Sequence, residues 1–271
     1  MSDNVRVLVL AGNGINCENE TAHACRLAGA GHVDIVYIWD LAAGKASLEG
    51  YQFVLFPGGF LDGDDLGSAK ASTIRLRHTE VNGISLVSQI KTHVDGGGLV
   101  MGICNGFQLM IKLGLLPALD NSFDPQQATL TWNDSGRFED RWVTLKIDSD
   151  SPCIFTKGID TMELPIRHGE GKIVAPDHII SKIKDNHQSP MVYVDPKTLE
   201  PTLEYPYNPN GTVNAMASLT DSTGRLFGLM PHPEAFVHKT NHPQWTRKKL
   251  NEKGDGLLLF KNAINYIRDN F

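Results

Sequence analysis

Gly96-Gly97-Gly98-Leu99-Val100-Met101-Gly102-Ile103-Cys104-Asn105-Gly106-Phe107-Gln108-Leu109-Met110 is the stretch whose reading decides the fold. Residues 99–103 are a short continuous apolar run of the buried-strand kind. From residue 105 the spacing becomes helical, with Phe107, Met110 and Ile111 on one face. Cys104 therefore sits at a sharp strand-to-helix turn, flanked by Gly102 and Gly106, where a Cβ would clash as the backbones close up. The pattern is that of a nucleophile elbow with cysteine in place of serine. At such an elbow the first amides of the helix and its dipole favour thiolate over thiol. The same residues also admit a plain buried cysteine at the end of a core strand.

Outward from the elbow, the chain opens as strand, helix, strand. Residues 6–10 are apolar, 16–27 read as a helix stopped at Gly29, and 33–39 as a second strand. Residues 51–56 make a third strand, and 80–94 read as a helix with Ile84, Val87, Ile90 and His93 on one side, His93 having no chemical role. This alternation predicts an α/β protein with a mostly parallel sheet flanked by helices. Beyond Leu116 the character changes: 129–132, 142–147, 162–166 and 191–194 are short or alternating runs, predicted to be antiparallel strands appended to the parallel core. Residues 182–209 read as exposed loops around one short strand. Residues 213–219 and 225–230 form a hairpin, and 256–267 a closing helix with Leu258, Leu259, Ala263 and Ile267 on its core face.

Bulk properties narrow the function. A formal net charge of -6 over 271 residues, with no basic run, argues against a nucleic-acid binder. No apolar run reaches membrane-spanning length, and the first residues lead straight into a strand, so neither a membrane segment nor a signal peptide is expected. Cys17, Cys25, Cys104 and Cys153 have neither disulfide nor metal-ligand spacing, which predicts free thiols, a cytoplasmic setting and no metal. Gly12-Asn13-Gly14 starts a dinucleotide-binding fingerprint, but Cys17 stands where its third small residue belongs, so a plain strand-to-helix turn is expected. Asp62, Asp64 and Asp65 are read as capping and solvated groups, because the bidentate acid of a calcium loop is missing.

Ligands of an open parallel sheet lie beyond the carboxyl ends of its strands, so the loop Pro57-Gly58-Gly59-Phe60 should share a rim with Cys104. Its glycines let the backbone turn N–H groups toward a bound group, as half of an oxyanion hole that the N–H of Asn105 completes. A tight strand-ending turn explains the same residues without chemistry. Downstream, Pro231-His232-Pro233-Glu234 stiffens a histidine between two prolines and sets a carboxylate two residues on, within reach of its ring.

The segments Gly102-Ile103-Cys104-Asn105-Gly106-Phe107-Gln108 and Pro231-His232-Pro233-Glu234 resemble the signatures of class I glutamine amidotransferases. Pro57-Gly58-Gly59-Phe60, Asn133-Asp134-Ser135-Gly136-Arg137-Phe138-Glu139, Pro165-Ile166-Arg167-His168-Gly169-Glu170-Gly171 and Asn208-Pro209-Asn210-Gly211 narrow the likeness to the glutaminase part of phosphoribosylformylglycinamidine synthases, from end to end of the chain. The resemblance implies one flavodoxin-like glutaminase domain over residues 1–271 and a triad of Cys104, His232 and Glu234. It also implies a glutamine and oxyanion site of Gly58, Gly59, Phe60, Asn105 and Gln108. No cofactor is implied in this chain; ATP and Mg belong to a partner synthetase subunit, and a small bridging subunit is compatible with the assembly. Arginine at 167, where relatives often carry alanine, bears on contacts of the 168–171 loop and is expected to leave the triad untouched. Two rival readings are a cysteine hydrolase or peptidase on a similar scaffold, and a binding module with a decayed site, which would normally have lost a triad member.

Overall fold

The computed structural model describes residues 5–271; the first four residues, where no leader is expected, lie outside the described residues. The first half runs β1 (Arg6–Ala11), α1 (Glu18–Ala28), β2 (His32–Tyr37), α2 (Ile38–Ala42), β3 (Phe53–Phe56), α3 (Lys70–Arg77), β4 (Glu80–Val81), β5 (Ile84–Ser85), α4 (Leu86–Asp95), β6 (Leu99–Ile103) and α5 (Asn105–Leu113). Then follow β7 (Thr129–Thr131), β8 (Glu139–Ile147), β9 (Thr161–His168), β10 (Lys172–Val174), α6 (Asp177–Asp185), β11 (Met191–Tyr193), β12 (Ser218–Thr220), β13 (Leu226–Leu229) and α7 (Leu257–Asn270).

Six strands form the main sheet in the order β12-β13-β6-β3-β1-β2. All of its pairings are parallel except β12 with β13. The residues of β3, β6 and β13 are buried throughout, which is why these segments read as unbroken apolar runs rather than alternating ones. Helix α1 packs with α7, and α3 with α4 and α5, so helices flank the sheet in two groups. The appended strands are antiparallel: β8 lies between β9 and β11, and β7 pairs with β10.

Register places the site. Phe56 lies beside Gly102 and Ile103 beside Leu229, so the loops leaving β3, β6 and β13 emerge together at one rim. That alignment brings residues 57–60, Cys104 and His232 to the same edge although 175 positions separate the first and last of them in the chain, from 57 to 232.

The structure differs from the sequence reading in several places. The helix predicted over 80–94 begins only at Leu86; before it, Asn82 and Gly83 both take positive φ (53° and 76°) and turn a two-stranded hairpin. Ile84, assigned to the core face, is consequently exposed, and Ser85 caps α4 by accepting the Ser88 amide at 3.1 Å. Strand β2 stops at Tyr37 because Ile38 and Leu41 bury themselves as the apolar side of the short α2. Helix α3 lies where no element is expected, and part of the segment read as loops is α6, which buries Ile179 and Ile183 and packs Ile180 partly against the core. Left-handed residues Asn214 and Ala215 break the strand expected over 213–219, leaving Ser218–Thr220. In α7 the core face is taken by Leu257, Phe260 and Ile264 along with Leu259, Ala263 and Ile267, and Leu258 points outward.

Candidate active site

The elbow is built by exclusion of side chains. Cys104 holds φ 50° and ψ −105°, a backbone that an ordinary residue keeps only when its surroundings enforce it. A Cβ on Gly106 would stand 1.8 Å from the Phe56 carbonyl oxygen, and one on Gly102 2.5 Å from Met110 Sδ. Strand and helix can therefore cross this closely only with glycine at both places. The Cys104 amide donates to Leu229 O at 2.8 Å, and the Gln108 amide to Cys104 O at 3.0 Å, so the residue belongs to the sheet edge and the first helical turn at once. Its thiol donates to the backbone carbonyl of Arg167 at 3.6 Å.

The histidine arrives from β13. Its backbone N–H donates to Pro165 O on β9 at 2.8 Å, tying the arm to the antiparallel sheet. Glu234 stands on the one-turn helix Pro233–Ala235, and its Oε1 lies 2.5 Å from His232 Nδ1. Both side chains are buried. The start of α7 presses on this turn: a Cβ on Gly256 would be 2.0 Å from Pro233 O. Burial works against a proton on His232, but the Glu234 carboxylate and the thiols of Cys104 and Cys17 outweigh it and raise the ring well above the usual histidine range. Nδ1 is taken by Glu234, whereas Nε2 is buried with no hydrogen-bond partner among the described residues.

One cavity of about 110 Å³ gathers the site; Asn16, Cys17, Gly59, Phe60, Cys104 and His232 line it, together with Phe138 and Arg167. Larger clefts exist, including one of about 740 Å³ bordered by Lys146, His187 and Val192, but no cysteine lines that one. The 57–60 loop is anchored from α1's side. Gly58 O accepts the amides of Asn16 (3.2 Å) and Cys17 (3.3 Å), and the Phe60 amide donates to Gly14 O at 2.7 Å. Because a trans peptide directs its N–H opposite to its C=O, the Gly59 amide points away from α1. Gly12-Asn13-Gly14 thus serves as a turn that braces this loop, and a Cβ on Gly58 would press on His232 Cε1 at 2.8 Å.

The remaining residues singled out in the sequence separate into two groups. Phe60 lines the cavity and stacks on Phe138, with centroids 6.2 Å apart. The side chains of Asn105 and Gln108 instead face a buried network behind the elbow. Asn105 accepts the Leu61 amide (2.8 Å) and donates to Asp64 (3.1 Å) and to Gln108 Oε1 (2.8 Å). Gln108 donates to the Glu170 carbonyl at 2.5 Å and does not line the cavity, so only the backbone N–H of Asn105 is placed to meet a ligand.

Three residues around the triad were missed or misjudged. Cys17 Sγ, a His232 ring nitrogen and a Glu234 oxygen lie within 4.8 Å of one another. Two of these three donors are already joined in the His232–Glu234 hydrogen bond, and burial raises the Cys17 thiol against the neighbouring histidine and arginine, so the cluster is arranged for proton chemistry ahead of metal binding. Phe138 covers the cavity from a segment quoted only for its family likeness. Arg167 corrects an expectation: its Nη2 is 3.2 Å from His232 Nδ1 and 3.6 Å from Glu234 Oε1, so this departure does touch the triad. The reason is register, since alternation along β9 turns residue 167 toward the rim where His232 is tied to Pro165.

Comparison with known proteins agrees with this architecture. The chain belongs to the glutamine amidotransferase family described as the CobB/CobQ-like glutamine amidotransferase domain, which it matches over residues 4–267. More particularly, it is 42% identical over 266 residues to the phosphoribosylformylglycinamidine synthase subunit PurQ of Dehalococcoides mccartyi, covering 97% of this chain and 98% of that one. It is 41% identical to the same-named subunit of Methanococcus maripaludis strain S2, with 97% of each covered. Among solved structures it is similar to PurLQS from Thermotoga maritima, with a TM-score of 0.69 and 27% identity over 97% of this chain and 99% of that one. No helix among the described residues is long and apolar enough to cross a membrane.

Proposed function

We propose that this chain is a glutaminase subunit of phosphoribosylformylglycinamidine synthase, acting in the cytoplasm in purine biosynthesis. The observation that carries the reading is a strained cysteine sharing one small cavity with a histidine whose far nitrogen is held by a buried glutamate. With the thiol proton already resting on His232, Cys104 attacks the side-chain amide carbon of glutamine as a thiolate, and the ring then delivers that proton to the departing ammonia. Glu234 fixes the ring so that Nε2, the unpartnered nitrogen, faces the reaction. The oxyanion sits between the N–H of Gly59 and that of Asn105, the first residue of α5, whose first-turn amides lack helical partners. Water then hydrolyses the thioester with His232 as base, releasing glutamate.

The ammonia passes to a synthetase subunit, which holds ATP and Mg and converts formylglycinamide ribonucleotide to the amidine; the full-length likeness to proteins named as subunits supports this division of labour. Residues 1–271 act as one glutaminase domain, of which residues 4–267 match the family. A cavity near 110 Å³ with a stacked phenylalanine pair over it suits one amino-acid side chain and gives no groove for an extended peptide, which disfavours a peptidase. The reading is tested by glutamate release from the full chain with and without the synthetase subunit and its nucleotides. Slow turnover alone and a strong rise on mixing is the expected result; cleavage of peptides or esters without glutamine turnover would refute it.

A further inference from the structure

Among the described residues Arg167 is the one charged side chain lining the cavity besides the triad's histidine, and it reaches in from β9 with two-fifths of its side chain exposed. Its Nη2 addresses the triad from the Nδ1 side of His232, at 3.2 Å from that nitrogen and 3.6 Å from Glu234 Oε1. Nδ1 is already 2.5 Å from the same carboxylate oxygen. Two cationic donors, guanidinium and protonated imidazole, thus converge on one oxygen of a carboxylate whose other oxygen is buried without a partner among the described residues. An N–H of arginine directed at a ring nitrogen that itself carries a proton has nothing to bond there, so the guanidinium's attraction is for Glu234 and its effect on the protonated ring is repulsive.

We propose that Arg167 is a positioning residue of the triad, sharing Glu234 with the imidazole so that the proton on His232 stays transferable to the leaving ammonia. The need for such a residue follows from the surroundings. The groups facing His232 are Glu234 on its own turn, Cys104 on the elbow, Cys17 before α1, and Arg167 and His168 on β9. The carboxylate and the two thiols favour the charged ring, and His168 is itself kept neutral by burial. Arg167 is then the opposing cation within contact distance. A ring held by an unshared, buried carboxylate would bind its proton too firmly to return it at neutral pH. Planarity and a fixed fork suit arginine to lie between the ring and the carboxylate, and lysine can supply the charge but not the fork.

The inference rests on the triad reading, and its test separates the two. Ring-nitrogen titrations of the full-length, histidine-labelled chain are followed by NMR for the wild type, Arg167→Ala and Arg167→Lys, with His232→Gln used to assign the signal. The expected result is an upward shift of His232 by about one pH unit in Arg167→Ala, a tenfold gain in proton affinity, with much of it reversed in Arg167→Lys. The alkaline limb of kcat/KM for glutamine, where His232 loses the proton it must return, should move by the same amount in the same direction. A His232 titration superimposable on wild type in Arg167→Ala would overturn the proposal. So would a raised KM with an unmoved pH limb, since that marks a residue that only holds the substrate. If glutamine is not turned over at all, the NMR shift still reports on Arg167, and the function alone is refuted.

Discussion

Two buried polar clusters flank the start of α5, and they differ in how fully their groups are paired. Behind the elbow, Asn105, Gln108, Asp64, Ser68, Lys112 and Glu170 bond to one another and to nearby backbone. Lys112 donates to the Ser68 carbonyl and, at 2.7 Å, to its hydroxyl, and that hydroxyl donates to Glu170 at 2.8 Å. In front, His232 Nε2 and Glu234 Oε2 are buried with no partner among the described residues. Unmet hydrogen bonds in a dry interior cost free energy, so a fold keeps them where something else gains by them. The rear cluster is bonded internally; on the proposed function the front one is left open for glutamine. Asn105 and Gln108 of the rear network stand on α5 and Cys104 caps that same helix, which explains how a fully paired network can set the position of the cysteine in front of it.

The sharpest way to break this contrast is at the front. Cys104→Ala is expected to lower glutamine turnover by about a thousandfold or more, with unchanged circular dichroism and melting, because the alanine methyl fits where the thiol stood. Retained turnover would move the chemistry elsewhere. Glu234→Ala should cost about a hundredfold in kcat, since the imidazole loses the group that orients it. An effect on KM alone would show that Glu234 acts on binding. At the rear, Asn105→Ala leaves the Leu61 amide and Gln108 Oε1 unpaired, and urea denaturation should register a loss of about 1–3 kcal/mol. Stability equal to wild type would mean that the rear network is not what holds the 57–65 loop.

Within the first pH unit below 6.5 the smallest effect concerns acid. His168, bonded through Nδ1 to Asn133 at 3.1 Å, is pushed down to about 3 by burial and then by the charge of His232. Unfolded, a histidine takes up its proton near pH 6.5. Between those values the unfolded chain holds the extra proton, so stability falls as pH falls, by up to about 1.4 kcal/mol per pH unit from this residue. His168→Asn should flatten the slope of stability against pH below 6.5 relative to wild type; parallel slopes would show that His168 does not set it.

What was legible in the sequence follows the same division. The elbow was readable because steric exclusion is local: glycines two residues on either side of a cysteine, between an apolar strand and a helix, state their own geometry. The Pro-His-Pro-Glu arm was readable because two prolines and a carboxylate fall within four positions. The parallel core showed itself as apolar runs, and the appended antiparallel strands as short alternating ones. By contrast, the hairpin before α4 reads as helix because Ile84 and Val87 fit the helical spacing, and the Asn82-Gly83 turn decides the matter against it. Arg167 and Cys17 reach the triad only through the pairing of β9 with β8 and the tether of residues 14–17 to the 57–60 loop, contacts that no single segment encodes. The rear network was invisible for the same reason: Gln108 meets Glu170 and Asn105 meets Leu61 across 62 and 44 positions.

The most direct measurement is to mix the full chain with glutamine and the synthetase subunit under turnover, quench in acid, and map covalent adducts by mass spectrometry. A γ-glutamyl thioester on the peptide containing Cys104, absent in Cys104→Ala, is the expected result. Turnover with the adduct on another residue, or undiminished turnover in Cys104→Ala, would contradict the account.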